Sequence, residues 1–245
     1  MSKGKSVNMK SSEWSYTRMN LTTQFKDYLH DCGAALVGFA DMSMDKSLIY
    51  PRAVSVAIPV PADIVQSLKT APNKAYYNTY NEMNNRLNRI VTNGANYLID
   101  KGYNAVAMTT DVVQIDRDKW ISNFPHKTVA TRAGLGWIGK NCLLTTQQYG
   151  GAVRLSSILT DAPLQTADAI TKSRCGSCTI CVKCCPAGAL SGILWEAGMA
   201  RSKLFDEQKC YQKQVQIMTE QTGIKTDLCG KCFEVCAFTQ KYIGE

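Results

Sequence analysis

The spacing of apolar residues predicts two amphipathic helices in the first hundred residues. In residues 21–35, apolar side chains recur every three or four positions, and Thr22 or Thr23 stands where it could cap the first turn. A longer helix is predicted over residues 81–102, with one apolar stripe along it. The two stripes consist of Phe25, Tyr28, Leu29 and Cys32, and of Met83, Leu87, Ile90, Val91 and Leu98.

Apolar runs rich in β-branched residues predict strands between and after these helices. The runs cover residues 35–40, 53–60, 104–110, 142–146 and 152–160, and a short helix is predicted over 126–134. Helices and strands alternate irregularly to about residue 165, which predicts an α/β or α+β domain. A polar connector, residues 161–174, then leads into a cysteine-rich region.

Length and charge narrow the class of protein. The chain of 245 residues has a net charge of +8, and the region from Cys175 onward is nearly neutral, with 8 basic and 7 acidic residues. No apolar run reaches the roughly 20 residues that span a bilayer, and residues 1–18 form a basic tail without the apolar centre of a signal peptide. We therefore expect a cytoplasmic protein without membrane contact. The basic excess fits a soluble surface, and it also fits RNA, an anionic cofactor or an acidic partner.

Nine of the eleven cysteines lie between Cys175 and Cys236. Because cytosolic thiols stay reduced, this density favours metal binding over disulfides. The first run has the spacing C-x2-C-x2-C-x3-C followed by Pro186, which is typical of bacterial ferredoxins, and a second set ends in C-x2-C-x3-C. Cys236 is followed by Ala237 where proline would be usual.

In two-cluster ferredoxins the fourth cysteine of each run binds the other cluster. The spacing therefore predicts one [4Fe–4S] cluster on Cys175, Cys178, Cys181 and Cys236. It predicts a second on Cys185, Cys210, Cys229 and Cys232. Zinc is the alternative, since paired C-x2-C motifs also bind zinc. The remaining cysteines, Cys32, Cys142 and Cys184, are expected to be buried packing residues.

The segment AGLGWIGKN, residues 133–141, imitates two phosphate-binding motifs. Its glycines match G-x-G-x-x-G and, with Lys140, nearly match a P-loop. Both motifs need a strand before the glycines and a helix after them, whereas here a helix precedes and a strand follows. Two interpretations stay open from the residues: a turn whose backbone approaches a flat ligand, and a structural turn with Trp137 in the core.

Together with a later YGxxxRLxxILTDxxL segment and the eight cysteines, AGLGWIGKN resembles the epoxyqueuosine reductase family, which is related to cobalamin-dependent reductive dehalogenases. The resemblance implies a nitroreductase-like corrinoid-binding domain (residues 19–165) followed by a ferredoxin-like domain with two [4Fe–4S] clusters (166–245). It implies that one cluster lies near the corrin ring and the other near the surface. It also implies corrinoid contacts by Gly134, Leu135, Gly136, Trp137, Ile138, Gly139, Lys140, Asn141, Leu143 and Arg154.

The chain departs from the family in two places. Where the tRNA-modifying members carry an aspartate proton donor, it has Trp120 and no matching carboxylate. His126 is the candidate replacement acid, because its ordinary pKa lies near 6.5, and Asp111 and Asp116 are weaker candidates. The chain also ends soon after Cys236, before the helical-repeat region with which longer members hold tRNA.

Two functions are compatible with these residues. The first is a cobalamin-dependent iron–sulfur oxidoreductase: a donor such as ferredoxin or flavodoxin reduces the clusters, and these reduce a base-off corrinoid that acts on a small-molecule or protein-bound substrate. The second is an electron-transfer partner, or an activator that reduces the corrinoid of another protein. Reduction of epoxyqueuosine in tRNA ranks below both, because the proton donor and the tRNA platform of the family are not found in the sequence.

Overall fold

The computed structural model describes residues 20–244, and the predicted tail, residues 1–18, lies outside them. The helices are α1 (Leu21–Asp31), α2 (Ala62–Ser67), α3 (Lys74–Asp100), α4 (His126–Arg132), α5 (Ile180–Lys183), α6 (Glu207–Thr222), α7 (Lys231–Glu234) and α8 (Ala237–Gly244). The strands are β1 (Leu36–Asp41), β2 (Arg52–Pro59), β3 (Ala105–Met108), β4 (Ile115–Asp116), β5 (Ile121–Ser122), β6 (Trp137–Ile138), β7 (Leu144–Thr145) and β8 (Val153–Thr160).

Residues 20–165, the first domain, are centred on a four-stranded antiparallel sheet in the order β1-β2-β8-β3. Its middle strands, β2 and β8, pair along their whole length, and six of the eight residues of β2 and five of the eight of β8 are buried. The mixture of helices with a sheet confirms the coarse fold class, and the antiparallel pairing makes it α+β.

Alternate residues of the strands enter two apolar clusters on opposite faces of the sheet. Val54, Val56 and Ile58 pack with α1 and α3 in the larger cluster, while Ala53 and Leu159 pack with α4 in the smaller one. Glycines allow the closest approaches, because a Cβ at Gly94 of α3 would overlap the side chain of Ile158. The packing of Ala53 and Leu159 against α4 positions this helix, and with it the segment that follows.

The cysteine-rich region packs against the first domain over a broad surface. Met218 of α6, Leu228 and Phe233 of α7 belong to the same apolar cluster as the sheet residues. The hydroxyl of Tyr242 in α8 donates to the carbonyl oxygen of Val60 at 3.0 Å, and the backbone N–H of Gly151 donates to Thr239 Oγ1 at 3.0 Å. The cysteine positions are therefore held by contacts with both halves of the chain.

Several local predictions need correction. Helix α1 is capped by Asn20, whose side chain accepts from the Thr23 backbone N–H at 2.9 Å, and not by Thr22 or Thr23. Helix α3 begins at Lys74, seven residues before the predicted start, because the Asn73 side chain caps it there. No helix in residues 20–244 is long and apolar enough to cross a bilayer.

The three non-ligand cysteines differ in their surroundings. Cys142 is buried as expected, and Cys32 is half-buried against the main core. The prediction for Cys184 was wrong, because its side chain is exposed. The residue ends the single turn of α5, which has no buried residue.

Candidate functional site

One set of four cysteines surrounds a cavity of about 50 Å³. Cys175 and Cys178 lie in the loop before α5, where Gly176 adopts a left-handed conformation (φ +54°), and Cys181 lies on α5 itself. Cys236 comes from much later in the chain, immediately before α8. The loop, the short helix and the start of α8 thus bring one cysteine ligand set together.

A second set of four cysteines surrounds a larger cavity of about 250 Å³. Cys185 follows α5, Cys210 lies in the first turn of α6, and Cys229 and Cys232 flank Gly230. Gly230 has φ +84°, and a Cβ there would meet the side chains of Leu68 and Phe233. A left-handed residue in a tight space requires glycine, so this turn sets the distance between its two flanking thiols.

The two sets lining these cavities have the membership that the ferredoxin spacing predicts. Within residues 20–244 no three His, Cys, Asp or Glu side chains converge closely enough to hold a single metal ion. Each set is instead spread around a space, which suits a cubane because each thiolate then binds a different iron. The donor chemistry, eight cysteines in two sets of four, is compatible with two [4Fe–4S] clusters.

Five of the thiols around the two cavities resist ionisation in the protein alone, because their pKa values are raised. Burial is the main cause, and it raises the pKa of Cys181 and of Cys210 to about 11 each. Burial also raises the pKa of Cys229, Cys232 and Cys236, and the neighbouring thiols of each set add to the effect. Binding of iron must therefore release protons, since thiolate is the form that binds metal.

The AGLGWIGKN segment contains the first strand of a β-hairpin, which the sequence did not predict; the second strand lies within the predicted strand 142–146. Strands β6 and β7 pair Trp137 with Thr145. A Cβ at Gly136 would overlap the carbonyl oxygen of Thr145, so this glycine permits contact between the two strands of the hairpin. The Trp137 side chain is 1% exposed and packs edge-on against Phe238 at 5.0 Å between ring centroids.

The two polar residues at the end of the segment contact both cysteine sets. The Lys140 ammonium donates to the carbonyl oxygens of Gly176 and Cys178, at 2.9 and 3.0 Å. The Asn141 amide donates to the carbonyl oxygen of Cys232 at 3.4 Å and lines both cavities. The hairpin therefore joins the first domain to both candidate clusters.

The other implied corrinoid contacts are divided between the protein interior and the larger cavity. Leu143 and Arg154 line that cavity, where the Arg154 guanidinium stacks on Tyr80 at 3.9 Å and its Nε atom is buried without a hydrogen-bond partner. A space of about 250 Å³ is below the usual range for drug-sized ligands, and a corrin ring is larger still. This cavity, which the second cysteine set also lines, is therefore smaller than a corrin ring.

Of the three candidate proton donors, His126 and Asp111 lie outside the cysteine cavities and differ in their exposure. His126 Nδ1 lies 2.9 Å from Ser157 Oγ, and burial, with a smaller contribution from Arg154, lowers its pKa from 6.5 to about 4. The ring is therefore neutral at pH 7 and holds no extra proton. Asp111 is exposed, and a hydrogen bond with the Thr109 side chain lowers its pKa. Neither residue lines the two cysteine cavities.

Two polar contacts near the second set were missed from the sequence. The Gln214 side-chain amide donates to Cys210 Sγ at 3.0 Å, and the Lys127 ammonium donates to the Cys142 carbonyl oxygen at 2.8 Å. Gln214 follows Cys210 by four residues on α6, so helical spacing could have indicated that contact. The contact of Lys127 with Cys142 could not be predicted in this way, because the two residues lie 15 positions apart and outside one helix.

Comparison with known proteins finds partial sequence matches to epoxyqueuosine reductases. No protein-family model matches the chain. The epoxyqueuosine reductase of Listeria monocytogenes is 50% identical over 64 residues, which are 26% of this chain and 17% of that protein. The epoxyqueuosine reductase of Synechocystis sp. is 32% identical over 128 residues, 48% of this chain and 40% of that protein. The chain thus spans less than half the length of these two relatives.

Solved structures show the same fold over most of the chain. A crystal structure of epoxyqueuosine reductase with an epoxyqueuosine-modified tRNA-Tyr stem loop matches with a TM-score of 0.59 and 20% identity, over 90% of this chain and 65% of that one. A reductive dehalogenase structure described in terms of B12-dependent dehalogenation matches with a TM-score of 0.64 and 18% identity, over 86% and 30%. The resemblance to epoxyqueuosine reductases is therefore confirmed.

Proposed function

We propose that the chain is an iron–sulfur oxidoreductase in which two [4Fe–4S] clusters carry electrons to a corrinoid. The observation that supports it most directly is the separation of eight cysteines into two sets of four, each around its own cavity. The set of Cys175, Cys178, Cys181 and Cys236 would hold one cluster, and the set of Cys185, Cys210, Cys229 and Cys232 the other. Such clusters supply one-electron transfer at low potential.

The two clusters would have different positions in the electron path. Cys178 of the first set is exposed, which suits the entry of electrons from a donor such as ferredoxin or flavodoxin. The second set faces Tyr80 and Arg154 of the first domain, so it would be the inner cluster. Electrons would then pass from the exposed cluster to the inner one and on to the acceptor.

The corrinoid as acceptor is supported by the relatives and not by a cavity of its size. A dehalogenase of the same fold is described in terms of B12-dependent dehalogenation, and an epoxyqueuosine reductase is 50% identical to this chain over 64 residues. The substrate of the corrinoid is then a small molecule or a protein-bound group. The tRNA stem loop bound by one structural relative is a further candidate.

A second candidate function is an electron carrier that reduces the corrinoid of another protein. The size of the larger cavity favours it, because about 250 Å³ leaves no room for a corrin ring beside the cysteines. In this case the cobalamin would stay on the partner. The chain would supply only the clusters and a docking surface.

Anaerobic EPR of the iron-loaded protein, before and after addition of Co(II) cobalamin, tests the two candidates. We expect about eight irons per chain, as two [4Fe–4S] clusters require. A base-off Co(II) spectrum that disappears on reduction through the clusters would support the corrinoid reductase. Cluster signals beside unchanged, base-on cobalamin would support the electron carrier, and about four irons would show that one cysteine set is misassigned.

A further inference from the structure

We propose that Lys140 compensates the charge of the cluster on Cys175, Cys178, Cys181 and Cys236 and raises its reduction potential. This inference rests on the proposed function, because it requires that cluster. It assigns to Lys140, the lysine of the AGLGWIGKN segment, a role that neither phosphate-binding motif would give it.

The position of the ammonium group is fixed by the first domain. Lys140 follows strand β6, and only 6% of the residue is exposed. Two of the three N–H donors of the ammonium bind the carbonyl oxygens of Gly176 and Cys178, inside the loop that presents the first two cysteines. A side chain held by two hydrogen bonds in a buried place has one position relative to the thiols.

The charge of Lys140 lacks a counterion in the described part of the chain. No carboxylate lies within ion-pair distance of its ammonium group, and none lines the cavity that it shares with the four cysteines. A buried ammonium without a counterion is costly, even when hydrogen-bonded to carbonyl oxygens. Four cysteine thiolates around an iron–sulfur cluster would supply the missing negative charge, so the cation itself indicates an anionic centre in this cavity.

The effect on electron transfer follows from the sign of the charge. Reduction adds one negative charge to the cluster, and a nearby cation stabilises the reduced form more than the oxidised form. Because the ammonium is buried, salt in the solvent screens this interaction only weakly. The other cavity is lined by different cations, Lys127, Arg154, Arg201 and Lys213, so Lys140 should act on one cluster alone.

The test is a redox titration followed by EPR on the iron-loaded wild type and on Lys140→Met and Lys140→Arg. Methionine keeps most of the side-chain volume and removes the charge, whereas arginine keeps the charge and serves as the matched control. In Lys140→Met we expect one cluster to become harder to reduce by at least tenfold in its one-electron equilibrium, about 59 mV. The other cluster should be unchanged, and Lys140→Arg should stay near the wild type.

Other outcomes separate this inference from the proposed function. Unchanged potentials in Lys140→Met, or equal shifts in Lys140→Met and Lys140→Arg, would overturn the role of the charge. If Lys140→Met loses four irons, Lys140→Gln provides the test, because it keeps hydrogen-bond donors without charge: a lowered potential supports the inference, and an unchanged one refutes it. A wild type that binds no clusters would refute the proposed function first.

Discussion

Gly136 provides a strong test of how the AGLGWIGKN segment works. In the structure its Cα faces the neighbouring strand of the β6–β7 hairpin, and an added Cβ would overlap the Thr145 carbonyl oxygen and lie 3.2 Å from the Thr146 Cα. These are backbone atoms of the paired strand, so no side-chain rotation relieves the overlap. Overpacking of this kind costs about 1–3 kcal/mol, which is the loss of unfolding free energy expected for Gly136→Ala.

The same substitution should also weaken both clusters, because Lys140 and Asn141 follow the hairpin and hold the loops of the two cysteine sets. Urea unfolding followed by circular dichroism measures the loss of stability, and iron content after gel filtration measures cluster retention. Gly244→Ala is the matched control, since no atom lies within 4 Å of a Cβ there, and it should change stability by less than about 0.5 kcal/mol.

The two interpretations of the AGLGWIGKN segment predict different results for substitutions at Gly136. If the glycine serves close approach of a corrinoid, a larger side chain such as Gly136→Val should abolish corrinoid binding and leave stability and both clusters intact. If Gly136 instead permits close contact between the hairpin strands, stability and iron content fall together, whether or not cobalamin is present. Wild-type stability and about eight irons in Gly136→Ala would refute the structural account.

Two further predictions concern single side chains. His126 has its pKa lowered to about 4 in the folded protein against about 6.5 when unfolded, so the unfolded chain binds the proton more readily and stability falls as pH decreases through this window. Between pH 7 and pH 5 the loss should be about 2 kcal/mol in urea unfolding, and His126→Gln should abolish it; an unchanged pH dependence would contradict the burial of the ring. Gln214→Leu removes the hydrogen bond to Cys210 Sγ and should lower the potential of the inner cluster alone in an EPR titration; a shift of the other cluster would contradict the assignment of Cys210.

The sequence predicted best what depends on local spacing. The cysteine runs, the main strands and the helices α1, α3 and α4 follow from patterns within a few turns of chain. The β6–β7 hairpin was missed because its first strand, Trp137–Ile138, has only two residues, too few to show an alternating pattern, although its second strand lies within the predicted strand 142–146. The contact of Lys140 with Gly176 spans 36 residues, and such tertiary contacts leave no periodicity to detect.

The position of Cys236 has a consequence for the order in which the protein matures. This cysteine completes one ligand set but belongs to the start of α8, whose Thr239 and Tyr242 are bonded to the first domain. Until α8 docks, only three of the four thiols of that set are together. Under the proposed function, iron loading at this set would require α8 to be docked, so a partly folded chain would not hold a finished cluster. The docking of one short helix would then act as a checkpoint between folding and metallation.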